Sequence, residues 1–173
     1  AIMLRDRAAP LADDLRSLLS SNDLWRRIKA AEALAAIGDA AMAAVPELLE
    51  MLAEEPDASD PRGMVQRYLC FALFNQRRGL LGRSLEGVDP DALRAAVVAG
   101  LGNQDGRARE ALGSVYRNLS FESIEPLLPE IHAAILEPSP SGIMFADGIR
   151  LEGLDRKSTR LNSSHTVISY AVF

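Results

Sequence analysis

Apolar residues recur along this chain at i, i+3, i+4 and i+7, and the segments they mark begin again every few tens of residues. No other feature constrains the fold as much, because a recurring set of amphipathic helices buries its faces by stacking into an array. The clearest segment opens at Asn22 or Asp23, either a good N-cap, and carries Leu24, Ile28, Ala31, Leu34 and Ile37 before Gly38 ends it. Val45, Leu48, Leu49 and Leu52 mark a second helix, with Pro46 in its first turn, where the missing amide would be unpaired anyway. Hydrophobic residues make up 48% of the 173 and aromatic residues only 5%, with alanine and leucine dominant. That composition favours helices packed through small side chains over a sheet of β-branched residues, so the expected class is all-α.

Arg27-Ile28-Lys29-Ala30-Ala31-Glu32-Ala33-Leu34-Ala35-Ala36-Ile37-Gly38 resembles the first helix of a HEAT repeat. Ala44-Val45-Pro46-Glu47-Leu48-Leu49 resembles the opening of its second. Arg26 departs from the family, which has an aliphatic residue there, and Leu24 or Trp25 is expected to fill that pocket. The resemblance is strong over 22–53 and rests on pattern alone elsewhere. It implies a right-handed α-α superhelix of antiparallel helix pairs, a HEAT-like solenoid. Units are expected at about 22–53, 60–102 and 105–137, with a fourth beginning at 143–154. Their starts at Asp23, Asp60 and Asp105 lie 37 and 45 residues apart, bracketing the repeat length of about 40 to 47. Asp60-Pro61 is expected to open a helix running to about Asn75, and Asp89-Pro90 to cap the next. Leu11 to Leu19 reads as the second helix of a preceding unit, so the array is expected to be interrupted at both ends and to belong to a larger bacterial protein.

Asp155-Arg156-Lys157-Ser158-Thr159-Arg160-Leu161-Asn162-Ser163-Ser164-His165 resembles a translated sequencing-library adapter, and 166–173 fits its continuation. Residues 155–173 are therefore expected to be foreign to the fold. Setting aside their three basic residues and one acid moves the formal net charge from −5 to −7.

Catalysis needs converging groups, and the chain carries no phosphate-binding glycine fingerprint, zinc-protease pair or nucleophile elbow. No enzymatic activity, cofactor or metal is expected of these residues, although a catalytic domain could lie elsewhere in the parent protein. Cys70, alone in the sequence, sits in the apolar run Tyr68-Leu69-Cys70-Phe71 and reads as a buried structural thiol. His132 reads as a surface histidine. Glu54-Glu55 and Asp13-Asp14 are consecutive, so they diverge around a helix and read as solvated charge. No apolar run approaches the roughly 20 residues that span a bilayer.

The expected function is a protein-interaction scaffold. Subtracting the apolar stripes leaves Glu47, Glu50, Asp91, Arg94, Glu125 and Glu130 outward on second-type helices, which the HEAT resemblance places on the concave side. A basic protein or peptide is the partner this mainly acidic face would take. An anion-binding alternative rests on Arg77, Arg78 and Arg83 around Gly79 and Gly82, where loop amides and guanidinium forks could hold a phosphate or carboxylate. Nucleic acid is a less favoured partner; it would use Arg26, Arg27, Lys29, Arg107, Arg109 and Arg117 on first-type helices, against the acidic net charge.

Overall fold

The computed structural model of the chain describes residues 8–75, 77–82, 84–103, 107–109, 111–112, 125–130 and 133. Among the described residues, five α-helices with defined bounds follow one another: α1 (Ala12–Ser17), α2 (Leu24–Ile37), α3 (Val45–Ala53), α4 (Met64–Phe74) and α5 (Pro90–Gly102). Short 3-10 turns at Ala9–Leu11 and Leu18–Ser20 flank α1, and a longer one at Asp39–Ala44 leads from α2 into α3. Helical backbone recurs at 107–109, 111–112 and 128–130, and no strand occurs among the described residues. The fold class is all-α. The expected fourth unit, the 155–173 tail, most of 105–137, Arg83, Arg117 and His132 lie outside the described residues.

Local chemistry explains where α2 sits. The Asp23 carboxylate accepts the Arg26 amide at 3.0 Å, satisfying one of the amides that the first turn leaves unpaired. Ile28, Ala31, Leu34, Ala35 and Ile37 are buried along one face. Gly38, at φ 80°, ends the helix. Of the two residues that could compensate for Arg26, Leu24 is half-buried, whereas Trp25 is 55% exposed and fills no pocket. Asp89 caps α5 in the same way, accepting the Ala92 amide at 3.2 Å.

The opening of α4 differs from expectation. Asp60 and Pro61 stand in a turn, closed by the Gly63 amide on the Asp60 carbonyl at 2.9 Å, and the helix starts only at Met64. Gly63 takes φ +58°, a left-handed conformation that breaks any helix begun at Pro61. The buried Asp60 carboxylate instead reaches past the turn, accepting the Met64 and Val65 amides at 2.8 Å each.

Ile28, Leu34, Leu48 and Leu52 are all buried, at 0–1% exposure. The expected pair of α2 with α3 is not among the closest backbone neighbours: α2 lies nearest α4, and α3 nearest α5, with further contact between α3 and α4 and between α1 and α2. Helix axes approach most closely where the side chains between them are small. Ala30, Ala31 and Ala35 of α2 and Ala72 of α4 are all buried, which lets α2 and α4 approach.

The connector after α4 folds back onto it. The Leu80 and Leu81 amides donate to the Ala72 and Leu73 carbonyls at 2.9 and 2.7 Å, and Leu81 is fully buried. Gly79 makes the fold-back possible: a Cβ there would stand 2.5 Å from the Leu73 carbonyl oxygen and 2.6 Å from the Asn75 nitrogen. Those are backbone atoms that cannot step aside cheaply. Gly79→Ala should therefore lower the unfolding free energy by about 1 to 3 kcal/mol, measured by urea denaturation. A loss below about 0.5 kcal/mol, usual for a surface change, would mean the connector is not packed in this way.

Candidate functional site

An open groove of about 490 Å³ runs between α1 and the end of α3. Asp13 and Arg16 of α1 form one wall; Glu47, Glu50, Met51 and Glu54 form the other; Arg27 of α2 also lines it. Helical spacing explains the acidic wall, because 47, 50, 51 and 54 fall on one face once Val45, Leu48, Leu49 and Leu52 are turned inward. Asp13, Glu50 and Glu54 are exposed.

Glu47 is engaged. Arg16 forks onto it, Nε donating to Oε2 and Nη2 to Oε1, both at 3.0 Å. The Arg16 hydrogen bond holds the Glu47 carboxyl below the usual carboxylate range, against a smaller opposing effect of burial, and raises the Arg16 guanidinium. The two side chains are 32% and 46% exposed, so solvent screens the pair heavily. Arg16→Ala is therefore expected to cost little stability near neutral pH. Because the folded pKa of Glu47 is depressed, this contribution is present above the ordinary glutamate value of 4.5 and is lost as pH falls through the folded value. Urea midpoints of wild type and Arg16→Ala should thus converge below about pH 4; a gap that persisted or widened in acid would reverse the sign.

Glu47 and Glu50 are thus brought into one groove. Asp91 and Arg94 are exposed on α5 and Glu125 is exposed in the 3-10 turn Glu125–Leu127, while Glu130 is half-buried; none of these four lines the groove. Of the groove's partly neutralising cations, Arg16 is not among the expected site residues, and Arg27 is expected only in the nucleic-acid alternative. Arg27 is half-buried and makes a long ion pair with Asp57 at 3.8 Å.

A second groove, of about 330 Å³, holds Arg77 and Arg78 together with Asp39, Gly79, Ser84 and Glu86. Three of its loop amides are engaged within the loop itself. The Arg77 and Arg78 amides both donate to Asn75 Oδ1 at 3.1 Å, and the Gly79 amide donates to the Asn75 carbonyl at 2.8 Å. Those amides are used inside the loop, two carboxylates share the groove, and the Arg77 and Arg78 side chains are exposed.

The described members of the expected nucleic-acid-binding set are not all exposed. Arg26 and Arg107 are exposed and Lys29 pairs with Glu32 at 2.7 Å, but Arg109 is only 7% exposed and its Nε donates to the Asn103 carbonyl at 3.2 Å. Cys70 is fully buried, and burial pushes its thiol far above the ordinary value, so the reactive thiolate is suppressed. Among the described residues, no group of three His, Cys, Asp or Glu could hold a metal ion, and no helix is long and apolar enough to cross a membrane. No family model, curated protein or solved structure matches this chain.

Proposed function

We propose that this chain is a HEAT-like repeat scaffold whose α1–α3 groove holds an arginine- or lysine-bearing segment of a partner protein. The observation that carries this reading is the alternation of contacts, α2 with α4 and α3 with α5. First-type helices meeting first-type helices, and second-type meeting second-type, is how a solenoid of helix pairs stacks, with each unit contacting mainly its neighbours. The groove between two second-type helices then belongs to the concave side. Its four carboxylates, Asp13, Glu47, Glu50 and Glu54, outnumber the two guanidinium groups of Arg16 and Arg27. Charge complementarity of this exposed kind steers association and selects against acidic partners, and it weakens once salt shortens the screening length below about 10 Å.

An arginine-rich fluorescent peptide titrated against the chain tests the reading. Binding should weaken as salt rises from about 0.05 to about 0.5 M, and should fall about tenfold in the Glu50→Lys/Glu54→Lys variant. These two positions leave the Arg16–Glu47 pair intact, so loss of binding would not reflect loss of that contact. Equal affinity in wild type and variant, or equal affinity for a glutamate-rich peptide, would contradict the proposal.

A further inference from the structure

The last turn of α3, which carries the acidic wall of the groove, ends on carbonyls that no helical amide can reach. Gln66 of α4, only 6% exposed, supplies the donor: its Nε2 contacts the Leu52 carbonyl at 3.3 Å and the Glu54 carbonyl at 2.9 Å. Its Oε1 in turn accepts Asn103 Nδ2 at 3.0 Å, and the same Nδ2 donates to the Gly63 carbonyl at 3.1 Å. Asn103, at the C-cap of α5, is 4% exposed, and its carbonyl accepts the buried Arg109 Nε at 3.2 Å. One buried chain of hydrogen bonds therefore links the end of α3, the start of α4, the end of α5 and the helical residues 107–109.

We infer that Gln66 is a positioning residue for the groove: with Asn103 and Arg109 behind it, it fixes where the Glu50–Glu54 wall stands relative to α1. This rests on the groove being the binding site. A buried amide fully used by carbonyl partners on one side and an amide on the other fixes direction as well as distance, which apolar packing does not. The segment it anchors needs fixing, since residues 54–59 beyond it are exposed and α3 has only nine residues. A wall held in place before the partner arrives loses less freedom on binding, so the relay favours affinity without touching the ligand.

Spin labels on cysteines replacing Ser17 and Glu55, both exposed, read the width of the groove, with the buried Cys70 left unlabelled. Gln66→Met, similar in volume but lacking both hydrogen-bonding functions, should broaden the 17–55 distance distribution and weaken the arginine-rich peptide by about threefold to tenfold. Leu101→Ala, a core change in α5 outside the relay, should destabilise the protein without that broadening. An unchanged distribution in Gln66→Met, or equal broadening in both variants, would overturn the inference. If Gln66→Met does not fold, the wild-type Gln66 side-chain amide protons decide: slow exchange with solvent supports the relay, and exchange at the free-amide rate overturns it. Broadening without peptide binding by either protein would uphold the positioning role while refuting the groove's proposed partner.

Discussion

Leu48→Ala should lower the unfolding free energy by roughly 2 to 5 kcal/mol, the range for removing a fully buried leucine from a core that cannot collapse around the gap. Leu48 has no exposed surface and lies in the same core as Leu34 of α2, Leu73 of α4 and Val97 of α5. The transfer of its lost methyl groups and the cavity left behind act in the same direction. A domain of this size has only about 5 to 15 kcal/mol of stability, so the variant should unfold at markedly lower urea and show a reduced melting temperature. A change below about 0.5 kcal/mol would mean that the Val45, Leu48, Leu49 and Leu52 stripe faces solvent.

Phe74→Ala is expected to be as damaging or more so, at about 3 to 5 kcal/mol. Phe74 ends α4 with no exposed surface, at the point where the connector returns over the Ala72 and Leu73 carbonyls. Removing the ring leaves a cavity at the last turn of a helix that has α2, α3 and α5 as neighbours. Urea denaturation followed by circular dichroism measures the loss. A small effect would place the aromatic ring outside the core.

The elements that were legible in the sequence are those whose signals are local. Asp23 and Asp89 cap their helices through amides three residues away, Gly38 ends α2, and the buried leucines of α3 repeat at the helical period. What failed depends on residues distant in sequence or on geometry within a turn. Asp60-Pro61 has the composition of an N-cap followed by a first helical residue, yet the same carboxylate caps a helix three residues later, across a glycine at positive φ. Arg16 meets Glu47 across 31 positions, so no short window shows that one of the outward glutamates is already paired. Arg109 falls among the expected nucleic-acid-binding cations, because the periodic pattern does not show that Asn103 turns a carbonyl toward it. Gln66 carries no apolar signal at all, although it is only 6% exposed. Glu47 and Glu50 followed from subtracting an apolar stripe; the groove and the relay behind it required the tertiary arrangement.

Methyl nuclear Overhauser effects in the intact chain test the proposed stacking of like helices. Leu48, Leu49 and Leu52 of α3 and Leu93, Val97 and Leu101 of α5 are all buried in the helices that approach each other closely. Cross-peaks between these two sets of methyl groups, together with cross-peaks from Ala31 and Ala35 of α2 to Leu69 and Ala72 of α4, are the expected result. An α3 whose methyl contacts run only to α2, with none to α5, would describe an isolated helix pair and contradict the stacked array.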